Sequence, residues 1–253
     1  MYPVINLFGW TVKSYTLFAA IAALTGMILA YRAMRGLRRT QRILLLMAVS
    51  IIYLLEARLW NVAVNPDSFG PDRPWYVLRM TGFSLYGGLA GAVLAVFLYS
   101  RISGNRLSLI LDAFVVPFGV AFCISRIGCF LNGCCGGIRT DLPWGVVFPT
   151  GIEIRTALIT LKSPHVHPTQ IYELIAALAG LPLCLYLAKR CKAGDGGLFS
   201  LYGAWFCLMR LAILPLRALP YAEVITKIVY PAVYAALAAL GLVLFIRSRR
   251  QKN

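Results

Sequence analysis

Residues 109–137 read LILDAFVVPFGVAFCISRIGCFLNGCCGG. The run from Leu109 to Cys123 is apolar apart from Asp112, and Arg126 then falls in the last turn or so of a membrane-length segment. An arginine at that depth costs about 2.5–3.5 kcal/mol, so a functional site is its default reading. The plainer alternative is a side chain that snorkels to the lipid headgroups. Beyond Arg126 the pattern breaks into glycines and cysteines, which suits irregular backbone lining a cavity rather than facing lipid.

The rest of the chain agrees that lipid is its solvent. Of 253 residues, 60% are hydrophobic and 13% charged, with a mean hydropathy of +0.75. A soluble domain carries roughly 25% charged residues. The fold expected is therefore an all-α integral membrane protein. Seven membrane-length segments fall near 14–33, 43–64, 81–99, 108–131, 168–188, 197–215 and 226–246, taking about 20 apolar residues per helix. The first is too long for a signal peptide and has no small-residue cleavage site, so it reads as a retained helix. The net charge of +16 would suggest nucleic acid in a soluble protein. Here it reflects loop arginines that set topology and meet anionic lipid, and nucleic acid is not an expected partner.

Loop charge orients the helices. Arg32, Arg35, Arg38, Arg39 and Arg42 crowd the first connection, and Arg247, Arg249, Arg250 and Lys252 the tail. The positive-inside rule puts the N-terminus outside and the C-terminus in the cytoplasm. No internal repeat is visible, and residues 1–253 read as a single polytopic domain. Two outer segments are long enough to fold: the turn-rich 65–80, and a loop or head region around 132–167 with a strand-like run from Gly145 to Phe148.

With a rise of about 1.5 Å per residue, polar groups from most of the helices reach one level. Tyr15, Glu56, Arg58, Tyr86, Arg126, His167, Glu173 and Arg210 all fall in the outer half. The site is thus expected to open toward the outer leaflet. Gly87, Gly88 and Gly91 make a small-residue face on the third helix, which serves helix packing or the approach of a ligand. Tyr86 beside them also suits an interfacial anchor. In His167-Pro168-Thr169-Gln170-Ile171-Tyr172-Glu173, proline fits the first helical position and His167 the cap. Glu173 near a helix N-terminus reads either as a structural acid or as a partner for Arg126 or Arg210, or an acid–base group. Arg210 lies deep and Arg217 emerges near the headgroups. Two arginines in one cavity suit bidentate phosphate binding, hence an anionic lipid.

Seven cysteines leave at least one thiol free unless it pairs with another chain. For Cys129, Cys134 and Cys135 three readings stand side by side. One is a structural disulfide. The second is a metal held with His165 and His167, although the spacing matches no zinc pattern. The third is a reactive or redox-active thiolate beside Arg126. No cofactor or metal is called for by the sequence.

Tyr15, Tyr86-Gly87-Gly88-Leu89, Asp112 with Pro117, Arg126-Ile127-Gly128 with Asn132-Gly133, and the His167–Glu173 segment occur in an order that resembles the prolipoprotein diacylglyceryl transferase family of bacterial inner membranes. Arg210 and Arg217 resemble that family's closing arginine pair. The resemblance implies a multi-pass inner-membrane enzyme. It would transfer diacylglycerol from phosphatidylglycerol to the lipobox cysteine of a secreted prolipoprotein, releasing glycerol 1-phosphate. It implies that Arg126 and Arg210 hold the phosphate and glycerol region, with Tyr15, Gly87, Gly88, Asn132, Gln170 and Arg217 around the donor, and that Gly137 is the glycine ending the signature. The sequence departs from the family where chemistry is expected. Tyr86 stands where the family has histidine, Cys129 where it has asparagine, Cys134 where it has an acid, and Leu214 where it has another acid. Tyr86, Glu173 and His167 are then the candidate bases. Two other functions fit the same residues: a related phospholipid-dependent transferase with a different acceptor, and a non-catalytic lipid-binding or thiol-redox membrane protein.

Overall fold

The computed structural model describes residues 2–7, 10–64, 83–148, 165–192, 195–219 and 223–250. Seven helices are long and apolar enough to cross a membrane, so the chain is a multi-pass membrane protein. They are α1 (Ser14–Ala33), α2 (Arg39–Val64), α3 (Leu85–Ser103), α4 (Leu107–Asn132), α5 (Thr169–Arg190), α6 (Gly197–Ile213) and α7 (Tyr230–Arg250). In lipid only an element that satisfies its own backbone can span, which is why the apolar runs become helices. Helix α2 starts four residues before the apolar run, and takes in Arg39 and Arg42. Arg42 donates to the Tyr31 carbonyl at 3.3 Å and lies over the Tyr31 ring. The outer segment at 65–80 lies outside the described residues, as does 149–164 of the second one.

A hairpin not expected from the sequence precedes α1. Strands β1 (Val4–Leu7) and β2 (Trp10–Lys13) pair antiparallel with Val4 opposite Lys13. The buried Ser14 joins it to α1, with its amide on the Pro3 carbonyl at 2.9 Å and its hydroxyl on the Tyr2 carbonyl.

The chain forms two compact units, Met1–Leu29 with Phe114–Asn253, and Ala30–Ala113. In the second, α2 packs along α3 through the small-residue face. A Cβ on Gly91 would stand 2.7 Å from the Glu56 Cβ and 2.8 Å from the Ile52 carbonyl oxygen, and one on Gly88 would meet the Tyr53 ring. Ser84 caps α3 through the Gly87 amide, and Gly104 closes it at φ 69°, the left-handed turn that glycine enters at least cost.

In the first unit, α6 packs against both α5 and α7. Phe118 and Phe122 of α4 set their rings edge-on to Phe206 of α6, with centroids 5.3 and 5.1 Å away. The Trp205 indole donates to the Ala176 carbonyl of α5 at 3.0 Å. Gly128 of α4 lies against Phe18 and Ser14 of α1, which brings the first turn of α1 beside the last turns of α4. After α6 a 3-10 turn, Leu214–Leu216, redirects the chain. Helix α7 is entered through one π turn, Ile225–Val229, directly ahead of Pro231.

Candidate active site

The first turns of α5 organise the site. Thr169, Gln170 and Glu173 are each fully buried, and positions i, i+1 and i+4 share one helix face. Thr169 donates to the Cys135 carbonyl at 2.8 Å and Gln170 to the Cys134 carbonyl at 2.7 Å. Glu173 receives three arginines. Its Oε2 lies 2.9 Å from Arg126 Nε, and its Oε1 lies 2.5 Å from an Arg210 nitrogen and pairs with Arg217 as well. All three guanidinium side chains are less than a tenth exposed. Arg126 also lies over the Phe122 ring, 4.7 Å from its centroid.

Three guanidinium groups around one carboxylate leave two positive charges in excess. Buried charge is costly unless it is compensated. Such a group can receive an anion, and arginine is the residue type that grips phosphate in a fork.

The route to this geometry differs from the sequence expectation in three places. Arg217 turns inward. The 3-10 turn carries it back, Gly137 and Arg217 form an isolated β-bridge, and the side chain reaches Glu173. His167 does not cap α5. Pro168 takes the cap position with φ −76° and ψ 66°, without a side-chain cap, because these angles already leave the helical region. His167 instead stacks edge-on with Tyr172. Its Nδ1 lies 3.2 Å from the Tyr172 hydroxyl, which accepts from Trp144 Nε1 at 2.8 Å. The direction of the bond between Nδ1 and that hydroxyl follows the tautomer of the ring. Third, the cysteines are not joined: all seven thiols are free.

Cys129, Cys134 and Cys135 nevertheless meet, their sulfurs within 4.8 Å of one another. Helix α4 ends at Asn132, Gly133 turns left-handed at φ 76°, and Cys135 does the same at φ 62°. A side-chain-bearing residue there costs roughly 1–2 kcal/mol, and the buttresses from Thr169 and Gln170 hold it. Asn132 hydrogen-bonds to Cys134. The hydrogen bond with Cys129 favours the Cys134 thiolate, but Cys135 and burial push the Cys134 thiol up to about 11. Cys135 is held well below the usual thiol range by hydrogen bonds from Cys129 and Cys134, assisted by Arg126 and Arg217. His165 is not part of this cluster. It is exposed and bonds the Gly145 carbonyl at 3.1 Å.

Gly137 sits where backbones meet. Its amide donates to the His167 carbonyl at 2.8 Å, and a Cβ there would stand 2.8 Å from that same oxygen. Within the strand-like run from Gly145 to Phe148, Val146 pairs with Val166. Tyr15 lies in the first turn of α1, 42% exposed. Tyr86, Gly87 and Gly88 belong to the other compact unit, on the first turn of α3, with both glycines buried. Thr169 and Trp144 were not singled out from the sequence. Thr169 lies inside the quoted His167–Glu173 segment, whereas Trp144 has no local signal, since its partner is 28 positions away.

A family model described as prolipoprotein diacylglyceryl transferase matches residues 3–247. Three similar proteins, each named phosphatidylglycerol–prolipoprotein diacylglyceryl transferase, show how far the similarity reaches. That of Cutibacterium acnes is 30% identical over 211 residues, 79% of this chain and 70% of its own. That of Clostridium tetani is 29% identical over 228 residues, 88% of each chain. One from Dehalococcoides mccartyi is 32% identical over 147 residues, 55% of this chain and 52% of its own. With the match running nearly from end to end and seven membrane-length helices in place, the chain belongs to the prolipoprotein diacylglyceryl transferase family of membrane enzymes.

Proposed function

We propose that this protein moves diacylglycerol from phosphatidylglycerol to the lipobox cysteine thiol of a prolipoprotein signal region, releasing glycerol 1-phosphate, at the outer leaflet of a bacterial inner membrane. The observation that carries this reading is the buried group of Arg126, Arg210 and Arg217 around Glu173, with its excess of positive charge. Displacement at a glycerol carbon needs a nucleophilic sulfur and a stabilised departing phosphate. Fixed guanidinium groups in a dry site supply the second without reorganising as charge develops. Arg126 and Arg210 hold the phosphate and the glycerol region, and Arg217 completes the clamp. Tyr15, Asn132 and Gln170 position the donor.

Glu173 serves as the counter-ion that fixes the three arginines. Both its oxygens are committed to them, and taking up a proton would break the clamp. Tyr86 and His167 are the remaining candidates to receive the acceptor's proton, and His167 is tied to Tyr172.

The test uses purified protein in phosphatidylglycerol with a lipobox peptide, read by mass spectrometry for a diacylglyceryl adduct. The adduct is expected with the parent chain and absent with Arg126→Ala. Folded protein that gives no adduct sinks the lipobox acceptor, and an adduct unchanged in Arg126→Ala sinks the role of the clamp. A related transferase with another acceptor is the second reading, favoured by Tyr86 and by the thiol cluster. It predicts that phosphatidylglycerol is consumed without labelling the peptide.

A further inference from the structure

We propose that Cys129, Cys134 and Cys135 form a three-thiolate site for a zinc ion whose fourth position receives and activates the acceptor thiol. The inference rests on the transferase reading above for its second half only; the metal site stands on its own geometry.

Three sulfurs already within 4.8 Å of one another are close to the spacing that zinc imposes. With Zn–S near 2.3 Å, neighbouring sulfurs of a tetrahedral site stand about 3.8 Å apart. The turn that brings them together is held from outside. Thr169 and Gln170 bind the carbonyls of Cys135 and Cys134, not their sulfurs, so neither buttress takes up a thiol. The backbone is left-handed at Gly133 and Cys135, and the Cys134 amide donates to the Cys129 carbonyl at 3.1 Å. The cluster offers sulfur alone, because His165 and His167 are engaged with Gly145 and Tyr172. Three protein ligands with one position left open is the arrangement of catalytic rather than structural zinc.

Charge closes the account. A divalent ion on three thiolates carries one net negative charge. Arg126 and Arg217, which interact electrostatically with Cys135, belong to a group with two positive charges in excess. Before the acceptor binds, the two groups together keep one positive charge, the charge that a phosphodiester monoanion balances. The same ion activates the acceptor thiol without a general base from the chain. A thiol that binds zinc is deprotonated outright. In the step proposed, the acceptor S–H releases its proton to solvent on binding. A sulfur lone pair attacks the lipid's glycerol methylene, and the C–S bond forms as the carbon–oxygen bond to the phosphate breaks. The electron pair leaves with the phosphate, as glycerol phosphate. The thioether product is a weak zinc ligand and departs. No oxidant or reductant is needed.

The experiment titrates reduced, detergent-purified full chain with buffered Zn2+ and counts metal per chain by mass spectrometry of the elements. One zinc is expected. Each of Cys129→Ser, Cys134→Ser and Cys135→Ser should weaken it by more than the roughly 10–100-fold that losing an outer partner costs, while Cys191→Ser leaves it unchanged. Folded protein that binds no more zinc than the triple serine variant overturns the site, and so does a disulfide among the three in protein isolated from membranes without reductant. Cadmium in place of zinc then reports acceptor binding through its sulfur-to-metal absorbance. This should rise with a lipobox peptide and not with its Cys→Ser counterpart. No rise overturns thiol activation. An adduct formed as fast by the triple serine variant leaves the transferase reading standing and removes the metal from it. Zinc and peptide bound with no adduct removes the transferase reading and leaves the site.

Discussion

The α2–α3 pair and the start of α5 both place a glutamate against neighbouring helices, and they treat it in opposite ways. Glu56 lies half-buried on α2, and the stem of its side chain fills the notch left by Gly91 of α3. Contact there is made by backbone and methylene groups, which gain dispersion energy from close approach. Glu173 is fully buried and its carboxylate is the centre of the contact, with three arginines converging on it from α4, from α6 and from the segment after α6. In lipid, apolar surface gains little from helix association. A membrane protein therefore builds helix contacts from small residues, or builds them from charge and accepts a desolvation cost. The first kind makes scaffold. The second kind leaves net charge at the contact, because the charges do not cancel.

The largest expected effect breaks the second kind of contact. Glu173→Gln leaves three guanidinium groups around a neutral amide, and losing one partner of a buried charge group costs about 3–5 kcal/mol. The thermal midpoint in detergent should fall steeply, whereas Glu56→Gln should move it little. Equal shifts for the two variants would mean that charge is not what holds α5 to its neighbours.

Arg126→Lys keeps the charge and removes the planar fork. Turnover in the peptide assay should drop by about 10²–10³-fold, the size of losing one fixed donor to a developing anion, with the midpoint close to that of the parent. A lysine variant with full turnover would show that net charge alone suffices. Gly91→Ala tests the scaffold instead. Its methyl would have to displace the Ile52 carbonyl, and overpacking of this kind costs about 1–3 kcal/mol. Gly36, with open space around it, is the control position, and an equal shift for Gly36→Ala would remove the packing explanation.

These contrasts explain what was legible in the chain. The helices were, because hydropathy is a property of each segment alone, and α1, α4 and α5 fall within a residue or two of the expected bounds. Arg126, Arg210 and Glu173 were legible as a group because a charge inside an apolar run stands out. The inward turn of Arg217 was not legible, since its direction depends on a 3-10 turn and a β-bridge to Gly137 that hydropathy does not encode. The hairpin before α1 was missed because two four-residue strands are too short to leave a period. The thiol cluster was visible as composition and invisible as geometry. Only the left-handed turns at Gly133 and Cys135 decide whether the sulfurs meet, and a cysteine gives no sequence sign that it will adopt one.

The smallest effect sharpens the comparison at the edge of the site, where neither charge nor close packing rules. Trp144 is more than half exposed, yet its indole donates to Tyr172, which also holds the His167 ring. A neutral hydrogen bond contributes about 0.5–1.5 kcal/mol, and water at an exposed indole competes for it, so Trp144→Phe should cost near the bottom of that range. The informative measurement is a double-mutant cycle with Tyr172→Phe in the same detergent. If the indole acts by fixing the hydroxyl, its removal should cost almost nothing once the hydroxyl is gone. A cost that persists in the Tyr172→Phe background would assign Trp144 to surface packing, and His167 would then owe its position to its own backbone, through the Ile138 and Gly137 hydrogen bonds.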